Sequence, residues 1–281
     1  MPLYKPQELF AFLNSLGIRP KKGLSQNFLI DGNILQKIIS AAEVSQEDVI
    51  LEIGPGPGAL TECLLEQGCR VIAVEKDLQL GQALERLQTP LNTLSIYCED
   101  ILQFPLEQVL PAYLKAGQKA KVIANLPYQL TTSILARLAP LNHLFSSITV
   151  MVQEEVARRF TGSPGSREYG SFTVFLNFFS DPVFSFKVSR KCFFPIPNVD
   201  SAVMTLRLKK PPADIDQEQF FTLTRKAFEQ RRKMLKSTLR ELYDPAFVSE
   251  ELIKLGLSPL ARPEELSVEN FIELFKSLQK V

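Results

Sequence analysis

The segment VIANLPYQL, residues 122–130, puts an amide, a proline and a tyrosine directly after an apolar run. Such a set can hold a flat base that carries an exocyclic amine. The lone pair of that amine is delocalised into the ring, so it is a poor nucleophile. The Asn125 side-chain oxygen and a main-chain carbonyl near Leu126–Pro127 can accept its two N–H groups. That draws the nitrogen toward tetrahedral geometry and localises the lone pair. Pro127 fixes the backbone and so preorganises the acceptor. Tyr128 can stack on the ring, a contact worth ~1–3 kcal/mol per base. No general base is needed, because an alkylated amine becomes acidic and loses its proton afterwards. Taken alone, Asn-Leu-Pro-Tyr is equally a β-turn with a packed aromatic.

A second set lies upstream. LEIGPGPGAL, residues 51–60, follows a strand-like run and opens a helix-like one. Gly54, Gly56 and Gly58 allow a tight turn and close approach of a ligand to the backbone. Pro55 and Pro57 remove two N–H donors, which a pyrophosphate cradle depends on. Glu52, just before the loop, is also a poor neighbour for pyrophosphate, but it can face a sulfonium or an α-amino group. Glu75 ends the next strand, 21 residues after Gly54, where an acid accepts the two ribose hydroxyls. Asp100, in CEDIL, ends the third and can accept from an adenine amine. Either acid alone also reads as a helix cap. Together with the glycine loop they read as a nucleoside cofactor site, and acids at every strand end suit S-adenosylmethionine better than the nicotinamide cofactor of a dehydrogenase.

These residues need a frame. Short apolar runs recur at 49–53, 70–74, 94–98, 121–124 and 147–152, with helical stretches such as GALTECLLEQG and LTTSILARLA between them. In the latter, Leu130, Ile134, Leu135 and Leu138 share one face. Strand–helix alternation predicts a mostly parallel sheet covered on both faces. Ahead of it, Asp31 can cap a helix with an Ile34, Leu35, Ile38, Ile39, Ala42 stripe. After Gln153, VFSFKVSR and SAVMTLRL read as strands without a clear helix between them, an antiparallel end to the sheet. KKPPAD, residues 209–214, breaks the pattern and suggests a domain boundary. Beyond it only helices are expected, QEQFFTLTRKAFEQRRKMLKSTLREL as a single one.

The totals set limits. The chain has 281 residues, 45% hydrophobic, with a formal net charge of +1. That suffices for one large domain or a large and a small one. Cys63, Cys69, Cys98 and Cys192 show no C-x-x-C spacing, and His143 is the only histidine. A metal site, a disulfide framework and a histidine-based triad are therefore not expected. No apolar run reaches the ~18 residues of a membrane span, and the first residues lack a signal-peptide pattern, so a cytoplasmic protein is expected.

The near-neutral total hides a basic face. From Thr222 to Arg240, seven basic residues (Arg225, Lys226, Arg231, Arg232, Lys233, Lys236 and Arg240) stand against one acid, Glu229, on what reads as one helix. The remaining tail is acidic. A run this one-signed suggests phosphate binding. Further basic residues lie at Arg19, Lys21, Lys22, Arg158 and Arg159.

In order along the chain, SQNFLID, LEIGPGPGALT, VEKD, EDIL, NLPY, MVQEEVARR, REYGSFTV, FFPIPNVDSAV and AFEQRRKML resemble the ribosomal RNA adenine N6-dimethyltransferases, specifically the bacterial small-subunit branch. The resemblance spans about residues 20 to 240. It implies an α/β, Rossmann-like S-adenosylmethionine-dependent methyltransferase domain with a mostly parallel seven-stranded sheet over residues 1–210, and a small helical rRNA-binding domain over 211–281. Residues 1–45 would form a cofactor-closing segment and helix. By the same resemblance Asn27 and Leu29 close over the methionine end. Gly54 and Gly56 lie against the cofactor, Glu75 holds the ribose, Asp100 the adenine, and Asn125 bridges cofactor and target. The target adenine would lie between Tyr128 and Phe193, with Phe194 a neighbour whose role stays open. Ser25 stands where the family usually has glycine. The implied reaction is N6,N6-dimethylation of two adjacent adenosines near the 3′ end of small-subunit rRNA, on an immature 30S particle and by a monomer. Macrolide-resistance large-subunit enzymes, DNA adenine methyltransferases (whose motif has proline where Leu126 stands) and a non-catalytic ribosome-assembly factor are the alternatives.

Overall fold

The computed structural model describes residues 3–21, 26–90 and 93–279. Ser25 and Lys22 lie outside them. The elements in chain order are α1 (Pro6–Ser15), β1 (Phe28–Leu29), α2 (Gly32–Ala41), β2 (Val49–Ile53), α3 (Ala59–Glu66), β3 (Arg70–Val74), α4 (Leu78–Ala83), β4 (Leu94–Tyr97), α5 (Leu106–Val109), β5 (Ala120–Asn125), α6 (Thr131–Leu138), β6 (Phe145–Gln153), α7 (Glu154–Phe160), α8 (Ser171–Phe179), β7 (Ser180–Val188), β8 (Phe193–Phe194), β9 (Ser201–Leu208), α9 (Gln217–Phe228), α10 (Leu235–Thr238), α11 (Pro245–Lys254) and α12 (Val268–Leu278).

Seven strands form one sheet in the order β4-β3-β2-β5-β6-β9-β7. The pairs β3–β4, β2–β3, β2–β5 and β5–β6 are parallel, and β6–β9 is antiparallel, as the change of rhythm after Gln153 predicts. Every residue of β2 is buried, which explains its unbroken apolar spelling around Glu52. The chain leaves β2 toward β3 on one side, and β5 is its neighbour on the other. The carboxyl ends of β2 and β5 therefore make the switch point where open α/β sheets bind ligands. Asp31 caps α2 by accepting from the Asn33 and Ile34 N–H groups, as expected.

The chain forms two compact units. One holds the described residues up to Ala157 together with Val183–Lys209. The other holds Arg158–Pro182 with the described residues from Lys210 on. The boundary near Lys209 matches KKPPAD, but the expected 1–210 division is corrected, because Arg158–Pro182 belongs with the C-terminal helices. The reason is aromatic packing within that unit. Phe178 of α8 lies 5.1 Å from Phe220 of α9, and Phe175 lies 4.9 Å from Phe221. Helices α7 and α8 are absent from the sequence expectation. SFTVFLNFF is rich in aromatic and β-branched residues, which favour strands in general, yet it is a helix with five of its nine residues buried.

The single basic helix is also corrected. It ends at Phe228, a turn follows, and α10 begins only at Leu235. Arg231, Arg232 and Lys233 thus stand in the turn. No helix among the described residues is long and apolar enough to cross a membrane.

Candidate active site

A cavity of about 310 Å³ opens at the switch point. The glycine loop, the ends of β3 and β5, and the N-terminal segment at Gln26–Leu29 enclose it. All seven expected cofactor residues (Asn27, Leu29, Gly54, Gly56, Glu75, Asp100 and Asn125) line it, as do Leu126, Pro127 and Tyr128.

Gly54, Gly56 and Gly58 have φ of 65°, 57° and 91°, the left-handed region in which a side chain is strained. A Cβ on Gly54 would meet nothing nearer than the Asn125 carbonyl oxygen at 4.0 Å, so that side of the loop is open to a ligand. A Cβ on Gly56 would meet the Phe28 ring at 3.2 Å. Phe28 thus lies against the loop, a contact the sequence reading missed because nothing local in SQNFLID marks it.

The two acids behave differently. The Glu75 oxygens accept from the Gly56 N–H at 2.9 Å and the Asp77 N–H at 2.8 Å. Burial pushes its pKa up, and those two N–H groups oppose the rise. Each oxygen keeps a lone pair, as a ribose diol requires. Asp100 is more open. The Lys76 ammonium, 2.7 Å from Oδ2, holds its carboxyl below the usual range, helped by the Leu102 N–H. It is ionised at neutral pH and able to accept from an adenine amine.

Asn125 ends β5. Its side-chain Nδ2 donates to the Asn27 carbonyl at 3.0 Å, which leaves Oδ1 to accept. The Pro127 carbonyl already accepts from the Leu130 N–H at 3.0 Å and the Thr131 hydroxyl at 3.4 Å. The Leu126 carbonyl takes no such bond among the described residues, so it is the better second acceptor. The Leu126 side chain is buried. Tyr128 begins a 3-10 turn, and its hydroxyl is 2.8 Å from that of Ser201 at the start of β9. This fixes the ring at its far end, another link with no local signal in the sequence.

Phe193 is placed differently from the expectation. It is 1% exposed, packed in the core with Leu29, Leu35 and Ile38 among others, and does not line the cavity. Its backbone does the visible work. β8 pairs antiparallel with β1, matching Phe193 to Leu29 and Phe194 to Phe28, and the Ile30 N–H donates to the Cys192 carbonyl. That ribbon holds the N-terminal segment across the site. Phe194 is half-buried, edge-on to Phe10 at 4.5 Å.

The basic residues are similarly sorted. Lys21 is bound to the buried Asp77 at 2.8 Å, and Gln26 donates to the same carboxylate. Lys226 is paired with Glu229 and Glu241. Arg231 is paired with Glu264 at 2.5 Å and also donates to the Ser166 and Arg167 carbonyls. Arg225, Arg232, Lys233 and Arg240 are exposed, and Lys236 is half-buried.

The family model for ribosomal RNA adenine dimethylase matches residues 17–280. The chain belongs to that family. It is 59% identical over 278 residues to the ribosomal RNA small subunit methyltransferase A of Protochlamydia amoebophila (strain UWE25), covering 99% of this chain and 98% of the relative. The corresponding protein of Chlamydia trachomatis serovar D is 45% identical, with 98% of each covered. Among solved structures, the dimethyladenosine transferase from Plasmodium falciparum shares the fold with a TM-score of 0.76 at 24% identity, over 90% of this chain and 98% of that one. The 23S rRNA methyltransferase ErmE has a TM-score of 0.70 at 25% identity, over 90% and 100%. The chain is thus an S-adenosylmethionine-dependent rRNA adenine dimethyltransferase with the Rossmann-like fold expected.

The residues present fit that cofactor. The Gly54 side of the loop is open, Glu75 presents two acceptors, and Glu52 directs a carboxylate with an unpartnered oxygen from beneath the loop. When bound, the cofactor supplies an electrophilic methyl group. A target amine at this rim would find acceptors in Asn125 Oδ1 and the Leu126 carbonyl and a ring face in Tyr128, while Asn125 Nδ2 ties the N-terminal segment down at Asn27.

Proposed function

We propose that this chain dimethylates N6 of two adjacent adenosines near the 3′ end of small-subunit rRNA, in successive transfers at one site. The observation that carries the reading is the Asn125 amide, anchored by Asn27 on one side and offering Oδ1 on the other, at the rim of a cavity with Glu75 and Asp100. An amine held there meets acceptors aimed at both N–H groups, and after the first transfer one acceptor still suffices. The high identity to relatives named small subunit methyltransferases favours the small-subunit target over the large-subunit one.

The substrate is an immature 30S particle, and the enzyme acts as a monomer in the cytoplasm. Exposed Arg225, Arg232, Lys233 and Arg240, with half-buried Lys236, supply phosphate contacts, Lys226 and Arg231 contributing less because acids already neutralise them. Turning an adenine out of paired RNA costs a few kcal/mol, which such contacts offset. Mass spectrometry of small-subunit rRNA, after incubation with the protein and labelled S-adenosylmethionine, tests the proposal. Two neighbouring dimethyladenosines support it. Label confined to large-subunit rRNA would overturn it.

A further inference from the structure

Glu52 is a second buried acid of the cavity, beside Glu75. It is 1% exposed on the buried central strand β2, and it lines the cavity directly before Gly54. Its sheet neighbours in register are Ala73 and Ile123, both apolar. Its Oε2 has no hydrogen-bond partner. A buried carboxylate with an unmatched oxygen is costly as an anion unless a cation is supplied. The groups that face it offer none. The Thr61 hydroxyl of α3 favours its ionised form but brings no charge, Glu75 at the end of β3 repels it, and the Cys63 thiol of α3 is itself pushed up to about 11, chiefly by burial. Burial first, and the Glu75 charge in addition, push the Glu52 pKa up to about 8.

We infer that Glu52 is a proton-linked cofactor residue: it gives up its proton when a cationic centre of the methyl donor enters the cavity. The cation is either the sulfonium or the α-ammonium group, the two positive centres such a donor carries. This inference rests on the cavity being the S-adenosylmethionine site. The linkage has a direction. Below about pH 8 the carboxyl is mostly protonated in the free protein. Cofactor binding favours the ionised form, so a proton leaves on binding and apparent affinity rises with pH until the free carboxyl is itself ionised.

The test is isothermal titration calorimetry of S-adenosylmethionine into the full chain at pH 7, in phosphate and in Tris, with dissociation constants followed from pH 6 to 9. The observed enthalpy should differ between the buffers by close to one proton. Affinity should rise by up to about tenfold per pH unit below pH 8 and then level off. In Glu52→Gln both dependences should vanish. S-adenosylhomocysteine, which has the ammonium but no sulfonium, separates the two sources: proton release lost with it assigns the sulfonium, and release retained assigns the ammonium. Equal enthalpies in the two buffers together with flat affinity in the wild type would overturn the inference, whether or not the variant folds. Failure of both ligands to bind at all would overturn the cavity assignment itself.

Discussion

The Asn125 side-chain amide donates to the Asn27 main-chain carbonyl at 3.0 Å, across 98 residues of chain. The residue proposed to accept the target amine therefore also ties down the segment at Gln26–Leu29 that lines the cavity. The two roles use different atoms and are separable. Asn125→Asp keeps an acceptor but loses the donor, and sets a carboxylate against a carbonyl. It should weaken S-adenosylmethionine binding by about tenfold, the order of one lost hydrogen bond to an uncharged group. It should also make the chain near Asn27 more sensitive to limited proteolysis. Unchanged affinity and protection would show that the contact does not hold the segment.

Tyr128 has a ring to stack and a hydroxyl anchored by Ser201. Tyr128→Phe keeps the ring and should lower kcat/KM only a few-fold. Tyr128→Ala should lower it by about 5- to 150-fold, the equivalent of ~1–3 kcal/mol of stacking. Equal losses in the two variants would assign the effect to the hydroxyl.

Arg231 and Arg232 are adjacent in sequence and opposite in use. Arg231 fastens the turn at Ser166 and Arg167 and pairs with Glu264, all within one unit, whereas Arg232 is exposed. Arg231→Ala should cost ~1–3 kcal/mol of stability, seen as a lower Tm, with little change in the salt dependence of RNA binding. Arg232→Ala should leave Tm unchanged and reduce the slope of log K against log salt by about 0.7–0.9. The reverse pattern in filter binding and melting would refute this division.

Glu52 also makes a statement about stability without any ligand. Its folded-state pKa of about 8 lies above the ordinary carboxyl value of 4.5. Between those values the folded protein binds more protons than the unfolded chain, so stability falls as pH rises. Glu52→Gln, which cannot ionise, should gain in Tm relative to wild type on going from pH 5 to pH 8.5. A difference that does not change with pH would mean that the carboxyl titrates normally.

Much of this was readable from residues alone, for physical reasons. β2 and β3 are spelled as apolar runs and occur at the residues expected, because buried parallel strands have no polar face to blur the pattern. The site was legible because Gly54, Glu75, Asp100 and Asn125 all sit at strand ends on one rim, which alternation alone predicts. Helix α8 was not, since its phenylalanines answer to Phe220 and Phe221 far along the chain rather than to helix propensity. The break after Phe228 was hidden likewise. FEQRRKML contains no glycine or proline, and the turn is held by Arg231 reaching Ser166, Arg167 and Glu264. The division of work between Phe193 and Phe194 depends on which ring the β1–β8 pairing turns inward, and FF carries no sign of that.

The central claim is that Asn125 activates the target amine rather than merely shaping the cavity. The direct measurement is single-turnover methyl transfer to small-subunit rRNA by Asn125→Ala, beside calorimetric S-adenosylmethionine binding by the same protein. The account predicts a rate lower by about 10²–10³-fold, the scale of one lost preorganised hydrogen-bonding group at a transition state, with cofactor affinity within about tenfold of wild type. A variant that binds the cofactor and methylates at the wild-type rate would contradict it.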